Sequence, residues 1–231
     1  MSNRTIIFLV LCATSMNMNA QKTSYLTENE KDIYWQPNTV INFSHYQAQT
    51  DTMCVKYYNK YGLQMSSSIG IRGVVDVPAK KRQFDKSYFA PAFCKNCSCI
   101  LAEDTMCLKV DRLLFDFAEI CARYMRRDLL EVHNMSKADN TNTMFFTSVK
   151  NKWDEHMQSF FGSAVREILI EKKDNAYVEW RQVVDELLQQ TEPYKTRPED
   201  CYRFMLGEPI EKGYKMAKTI AGDMRNKNEN R

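Results

Sequence analysis

The chain has 231 residues, of which 44% are apolar and 26% charged, so the composition excludes disorder over the whole length. The formal net charge is +3, and positive and negative residues are interspersed. This pattern excludes a strongly basic surface for nucleic acid or an anionic membrane. The length allows one large domain or two small ones, each with an apolar core.

A removable secretory leader is predicted over residues 1–20. A charged start with Arg4 is followed by an apolar run over 5–13 and a polar stretch that ends at Ala20, the order of a signal peptide. The apolar run is much shorter than the roughly 20 residues of a membrane-spanning helix, and no later segment is long enough. We therefore expect cleavage after Ala20, or after the second small residue Ala13, and a secreted, extracellular protein (periplasmic in a bacterium) with no membrane span.

The segment 21–103 is predicted to be mixed and partly extended. Thr27 and Glu30 form a capping box that indicates a short helix ending before Pro37. Residues 52–61 suit a helix that Gly62 would end, but their β-branched and aromatic side chains also suit a strand. The apolar positions over 69–78 predict one strand or a small hairpin.

Seven cysteines follow the leader, and in an oxidising compartment we expect them to form disulfides. An odd number cannot all pair within the chain, so we expect three bridges and one thiol that is buried or links two chains into a dimer. The connectivity stays open. The seven are Cys54, Cys94, Cys97, Cys99, Cys107, Cys121 and Cys201.

The segment from Cys94 to Cys97 has two alternative interpretations. A zinc site would need a second close pair of thiolates, and only Cys107 follows at a suitable distance. The preceding run over 89–93 is similar to the run before a thioredoxin active site with one residue inserted, which suggests redox chemistry, but no βαβ pattern follows. Structural disulfides are favoured, so neither a metal ligand nor a catalytic residue is assigned.

Three Asn-x-Ser/Thr triplets follow the leader, at Asn42, Asn96 and Asn134. Asn134 lies within residues 133–143, an almost wholly polar stretch that predicts an exposed loop. Asn96 lies inside the cysteine cluster, which would hinder the transferase. Glycosylation is therefore expected at Asn42 and Asn134.

From residue 104 onward the apolar residues recur at three- and four-residue steps, which predicts amphipathic helices. The expected helices cover about 105–132, 148–173 and 177–192, then a short helix that starts at Pro198 and stops near Gly207. A last amphipathic piece is expected over 210–224. The predicted fold class is mainly α, an irregular helical bundle with a small disulfide-rich, partly extended N-terminal part. The expected segments are 21–103 and 104–231, which together could form one domain.

No motif in the chain is specific for a reaction or a cofactor. The three histidines, His45, His133 and His156, do not form a zinc-protease pattern, and no phosphate-binding glycine loop or nucleophile elbow is present. The leading expectation is an exported protein that binds an extracellular protein or a cell surface. The 12 tyrosines, 12 phenylalanines and 13 methionines suggest a first alternative, a carrier of a small apolar ligand. A secreted enzyme of unknown reaction is the second alternative.

Overall fold

The computed structural model describes residues 25–49, 52–80 and 83–222. The predicted leader lies outside this part of the chain. The described helices are α1 (Thr52–Tyr61), α2 (Thr105–Ser136), α3 (Thr141–Val165), α4 (Ala176–Gln190) and α5 (Pro198–Leu206). The described strands are β1 (Asp32–Tyr34), β2 (Met65–Ser66), β3 (Ile69–Pro78), β4 (Lys86–Cys94), β5 (Cys99–Ile100) and β6 (Tyr214–Met216). The predicted fold class, mainly α with an extended N-terminal part, is confirmed.

Four of the strands form one antiparallel sheet in the order β1-β4-β3-β6. The central pair is in register from Ile69 opposite Phe93 to Asp76 opposite Lys86. β6 comes from the end of the described chain and pairs with β3, so the sheet joins both halves of the sequence. β2 and β5 form a separate two-stranded ribbon.

The sheet lies between two helical layers. Side chains alternate between its faces, so Phe89 of β4 points to a core formed with α2, α3 and α4, whereas Ala90 points to α5. Because β4 is covered on both faces, all its residues from Tyr88 to Cys94 are buried.

The central helix of the fold is α2. The side chain of Asp104 caps its first turn by accepting hydrogen bonds from the backbone N–H groups of Met106 and Cys107. Half of its 32 residues are buried, because it contacts the sheet, α3 and α4. Aromatic stacking adds to this packing, for example between Tyr124 of α2 and Trp153 of α3.

Buried ion pairs tie the helices to the sheet. Asp76 of β3 accepts two hydrogen bonds of 2.7 Å from Arg203 of α5, and both side chains are almost fully buried. On α2, Glu119 pairs with Arg123 at 2.7 Å and also accepts hydrogen bonds from the backbone N–H and the hydroxyl of Thr196. Burial raises the pKa of Glu119, and the neighbouring arginines oppose that rise.

Most predicted elements after residue 104 are present, with shifted ends. The first predicted helix extends to Ser136, and the second begins at Thr141 rather than near 148. α5 starts at Pro198 and ends before Gly207, whose φ of 72° is the left-handed conformation that favours glycine. Residues 52–61 form a helix, and Gly62 follows it with a φ of 71°.

Two local expectations were wrong, and one strand was not predicted. The helix expected before Pro37 is replaced by a turn and β1, because the Asn29 side chain accepts hydrogen bonds from the N–H groups of Lys31 and Asp32 and starts an extended segment. The helix expected after 210 is replaced by β6, which follows Gly213 and pairs with β3. β4 was not among the predicted elements, and it contains Pro91, a residue that is rare in central strands.

Candidate functional site

An open cleft of about 900 Å³ lies between the disulfide-rich front of the molecule and the helices α2 and α3. On α2, the residues that line it are Cys107, Asp111 and Leu114, which follow one another by four and three residues and so share one helix face. The lining residues of α3 and its continuation recur with the same spacing: Gln158, Phe161, Gly162, Val165, Arg166, Leu169 and Ile170.

The continuation of α3 over Arg166–Ile170 is a π-helical segment, and it forms part of the cleft wall. Such wider turns occur often at functional sites because they reposition side chains along a helix. Gly162, just before this segment, leaves room in the cleft, since a Cβ added there would have no atom within 4 Å.

The opposite wall comes from the front half of the chain. Residues 65–69, which include Ser66, Ser67 and Ser68, contribute polar backbone and hydroxyl groups. Asn96, Cys97 and Cys99 line the cleft beside them. Tyr57 and Tyr61 of α1 also contribute to the lining, although α1 exposes every side chain from Val55 to Tyr61.

A buried carboxyl group lies on the α2 side of this cleft. Asp111 is 8% exposed, and it accepts hydrogen bonds from the Tyr46 hydroxyl at 2.5 Å and the Ser67 hydroxyl at 2.6 Å. Burial raises the pKa of Asp111 to about 6, and the two hydroxyls oppose that rise. In the described part of the chain, the carboxylate has hydrogen-bond donors but no ion-pair partner.

The thiol of Cys107 lines the same cleft but is not activated. Burial, followed by the charges of Asp104 and Asp111, raises the pKa of Cys107 to about 12. A thiol with such a pKa stays protonated at neutral pH and is a poor nucleophile. The cleft therefore suits binding better than covalent catalysis at sulfur.

A second hollow of about 760 Å³ adjoins the cleft, and the two share five lining residues: Tyr61, Leu63, Cys107, Leu169 and Ile170. Its far wall includes Tyr177 and Val178 of α4. Its lining also includes polar residues such as Lys172 and Lys173. The hollow therefore lengthens the space open to a ligand, with a mixed polar and apolar surface.

The structure corrects the expected disulfide pattern. It joins Cys54 to Cys99 and Cys94 to Cys97, which is two bridges rather than three. Because Cys94 and Cys97 are bonded to each other, they do not form a zinc thiolate pair in this structure. The segment before Cys94 is a strand, and it runs antiparallel to both of its neighbours.

The other three cysteines of the described chain, Cys107, Cys121 and Cys201, are free and buried. Cys107 and Cys121 both lie on α2, where 14 residues separate them by about 21 Å along the axis, so they cannot meet. Burial raises the pKa of Cys121 above its ordinary value and that of Cys201 to about 12. A disulfide-linked dimer through any of the three would require local opening of the fold.

The two favoured glycosylation sites are both exposed, and their modification stays a prediction. Asn42 caps a short 3₁₀ turn by accepting a hydrogen bond from the backbone N–H of Ser44. Asn134 lies in the last turn of α2, so the expected loop over 133–143 is shorter, with only residues 137–140 between the helices.

The histidines lie apart from the cleft lining. His45 accepts a hydrogen bond from the backbone N–H of Asn42, and burial lowers its pKa. His133 packs edge-on against Phe84, and His156 lies beside Trp153.

Comparison with family models, curated proteins and solved structures gives no significant match to this chain. Among the described residues, no helix is both long and apolar enough to cross a membrane.

Asp111, the one buried acid in the cleft lining, was not among the site residues predicted from the sequence. A signal was present, because Asp111 follows Cys107 by four residues and precedes Leu114 by three, so it interrupts an apolar face of α2. The hydroxyls that bind it come from Tyr46 and Ser67, which are 65 and 44 residues away in the sequence. No local pattern connects those three residues.

Proposed function

We propose that this protein is an exported small-molecule-binding protein whose ligand occupies the cleft between α1, α2 and α3. The observation that carries the proposal is the cleft itself, at about 900 Å³. Ligand pockets typically measure about 300–1,000 Å³ and combine apolar walls with a few placed polar groups.

The lining indicates an amphipathic ligand. The wall formed by α3 and its continuation offers aromatic and aliphatic surface from Phe161, Val165 and Leu169. The front wall offers the polar groups of residues 66–68, and α2 offers the buried Asp111. A ligand with an apolar body and one polar end would satisfy both walls. A purely apolar ligand would displace water from these polar groups without replacing its hydrogen bonds, which would cost free energy of binding.

Export is supported by the predicted leader together with the two disulfides, since disulfides persist mainly in oxidising compartments. The Cys54–Cys99 bridge attaches α1, and with it Tyr57 and Tyr61, to the cleft wall. A cleft held in place by covalent bonds loses less conformational entropy when it binds a ligand.

The test is ligand retention by the secreted protein and by Gly162→Leu. The added side chain projects into open space in the cleft, so we expect it to displace the ligand while the helix remains intact. The matched control is Ser159→Leu, which adds the same side chain to an exposed position of α3 outside the cleft lining.

Native mass spectrometry of secreted wild type and Ser159→Leu should show a bound small molecule that Gly162→Leu lacks. Equal retention by all three proteins, or no retained molecule in any of them, would contradict the proposal.

Binding of an extracellular protein is the second candidate, and the outer surface of α1 favours it. Val55 and Tyr58 are 43% and 45% exposed there and lie outside the cleft lining. Exposed aromatic side chains are common at protein interfaces. If this candidate is correct, a photo-crosslinker at position 58 should capture one extracellular protein that a crosslinker at Ser159 does not capture.

A further inference from the structure

We infer that the ligand of the cleft carries a protonated amine on an apolar body, and that the ammonium group pairs with the carboxylate of Asp111. The inference rests on the proposed function, because it names the chemical class of the molecule that the cleft would hold. Three features of the site support it: the isolated charge of Asp111, the aromatic rings at the cleft edge and the position of the other charged groups.

The first feature is a buried carboxylate without a cation. Removing a carboxylate from water is costly unless a positive charge or enough hydrogen bonds compensate for it. Tyr46 and Ser67 each donate one hydrogen bond, but neither carries a charge. The two oxygens of a carboxylate can accept about four hydrogen bonds, so the group retains capacity for an ammonium donor.

The second feature is the surface around this carboxylate. Tyr57 and Tyr61 line the same cleft, and ring faces attract cations. The Nζ of Lys60 already lies 4.8 Å from the centre of the Tyr61 ring, so we assign the contact with the ligand to Tyr57. Leu114, one turn after Asp111 on α2, and Phe161 on α3 offer apolar surface for the body of the ligand. An amine on an aryl or alkyl chain has complementary groups for each of these surfaces.

The third feature is the charge of the other groups that face the cleft. Arg166, in the π-helical continuation of α3, has a side chain 58% exposed and already pairs with Glu171 at 3.6 Å, so solvent screens its repulsion of a cation. Arg112, next to Asp111 in the sequence, donates its Nε–H to the carbonyl of Ile41. Cys107 and Tyr46 stay neutral near pH 7, because burial raises the pKa of both groups.

The experiment compares three probes with the same phenyl body: phenethylamine, phenethyl alcohol and hydrocinnamate. Their affinities for the full secreted chain, freed of retained ligand, are measured by calorimetry at pH 7. The ammonium and the hydroxyl can each donate a hydrogen bond to Asp111, but only the ammonium adds an attraction between opposite charges, so the amine should bind at least about tenfold more tightly than the alcohol. Hydrocinnamate should bind most weakly, because its carboxylate would be repelled by the carboxylate of Asp111.

Asp111→Asn keeps the shape of the side chain and removes its charge. It should lower the amine affinity at least about tenfold and leave the alcohol affinity within about threefold. In wild type, the amine affinity should also fall between pH 7 and pH 5 as Asp111 is protonated, while the alcohol affinity stays constant. This pH profile decides the inference if the variant does not fold.

Equal affinities for amine and alcohol, tightest binding of hydrocinnamate, or no binding of any probe would each overturn the inference. None of these results overturns the proposed function, which depends on the loss of retained ligand in Gly162→Leu.

Discussion

The cleft region and the face of the sheet covered by α5 are stabilised by different interactions. In the cleft region, α1 buries only Cys54 among residues 54–61, and one disulfide attaches it to β5. On the α5 face, Arg203 and Asp76 are 2% and 1% exposed and pair directly. A covalent bond therefore holds α1, which has little apolar burial and borders an open cleft. On the α5 face, close packing around a buried ion pair holds the helix against the sheet.

The largest expected effect is on the α5 face. Arg203→Met leaves the buried carboxylate of Asp76 without its partner, and we expect the free energy of unfolding to fall by about 3–5 kcal/mol. The control is Lys195→Met, which removes an exposed pair with Glu192 and should cost about 1 kcal/mol or less. Urea unfolding measures both. A cost for Arg203→Met as small as that of the control would contradict the contrast between the two regions.

The next effect concerns the Cys54–Cys99 bridge, which spans 45 residues. Replacing both cysteines with alanine should lower the free energy of unfolding by about 4 kcal/mol, because the unfolded chain regains the entropy of that loop. The Cys94–Cys97 bridge spans three residues, and its removal should cost about 2 kcal/mol. Denaturant unfolding gives the two values, and hydrogen exchange should show faster exchange in α1 only for the first variant. The reverse order of costs would show that the longer bridge does not hold α1.

A smaller effect is expected from Asp111, whose pKa in the folded protein, about 6, lies above its ordinary value of 3.8. Between these two values the folded state binds more protons than the unfolded state, so the stability from this group is present at low pH and is lost as the pH rises through about 6. Relative to Asp111→Asn, the wild type should lose up to about 3 kcal/mol between pH 4 and pH 7. Thermal unfolding of both proteins across this pH range measures the difference. A constant difference would show that Asp111 does not titrate as proposed.

The smallest effect is a gain of stability at the cleft wall. Gly162 lies inside α3, and an added Cβ meets no atom within 4 Å, so Gly162→Ala should stabilise the protein by about 0.5–1 kcal/mol. Gly207→Ala is the matched control. It should destabilise by about 1 kcal/mol or more, because the φ of Gly207 is 72°. If both variants lose stability, the space beside Gly162 is smaller than described.

The helices from α2 onward were largely predictable because their signals are local. The apolar stripe of α2 and the stop of α5 at Gly207 depend on neighbours within a few residues, and both are present in the structure. The sheet was less predictable. β1, β4 and β6 are short or contain proline, and each is stabilised by a strand distant in sequence.

The sequence alone determined the fold class, the positions of the main helices and the cysteines available for bridges, since periodicity and residue type are properties of short segments. The tertiary structure decided which cysteines pair, and that Tyr46, Ser67 and Asp111 meet at one cleft. The physical reason is that burial and pairing depend on groups brought together from distant parts of the chain. A carboxyl group such as Asp111 acquires its raised pKa only when that packing removes it from water.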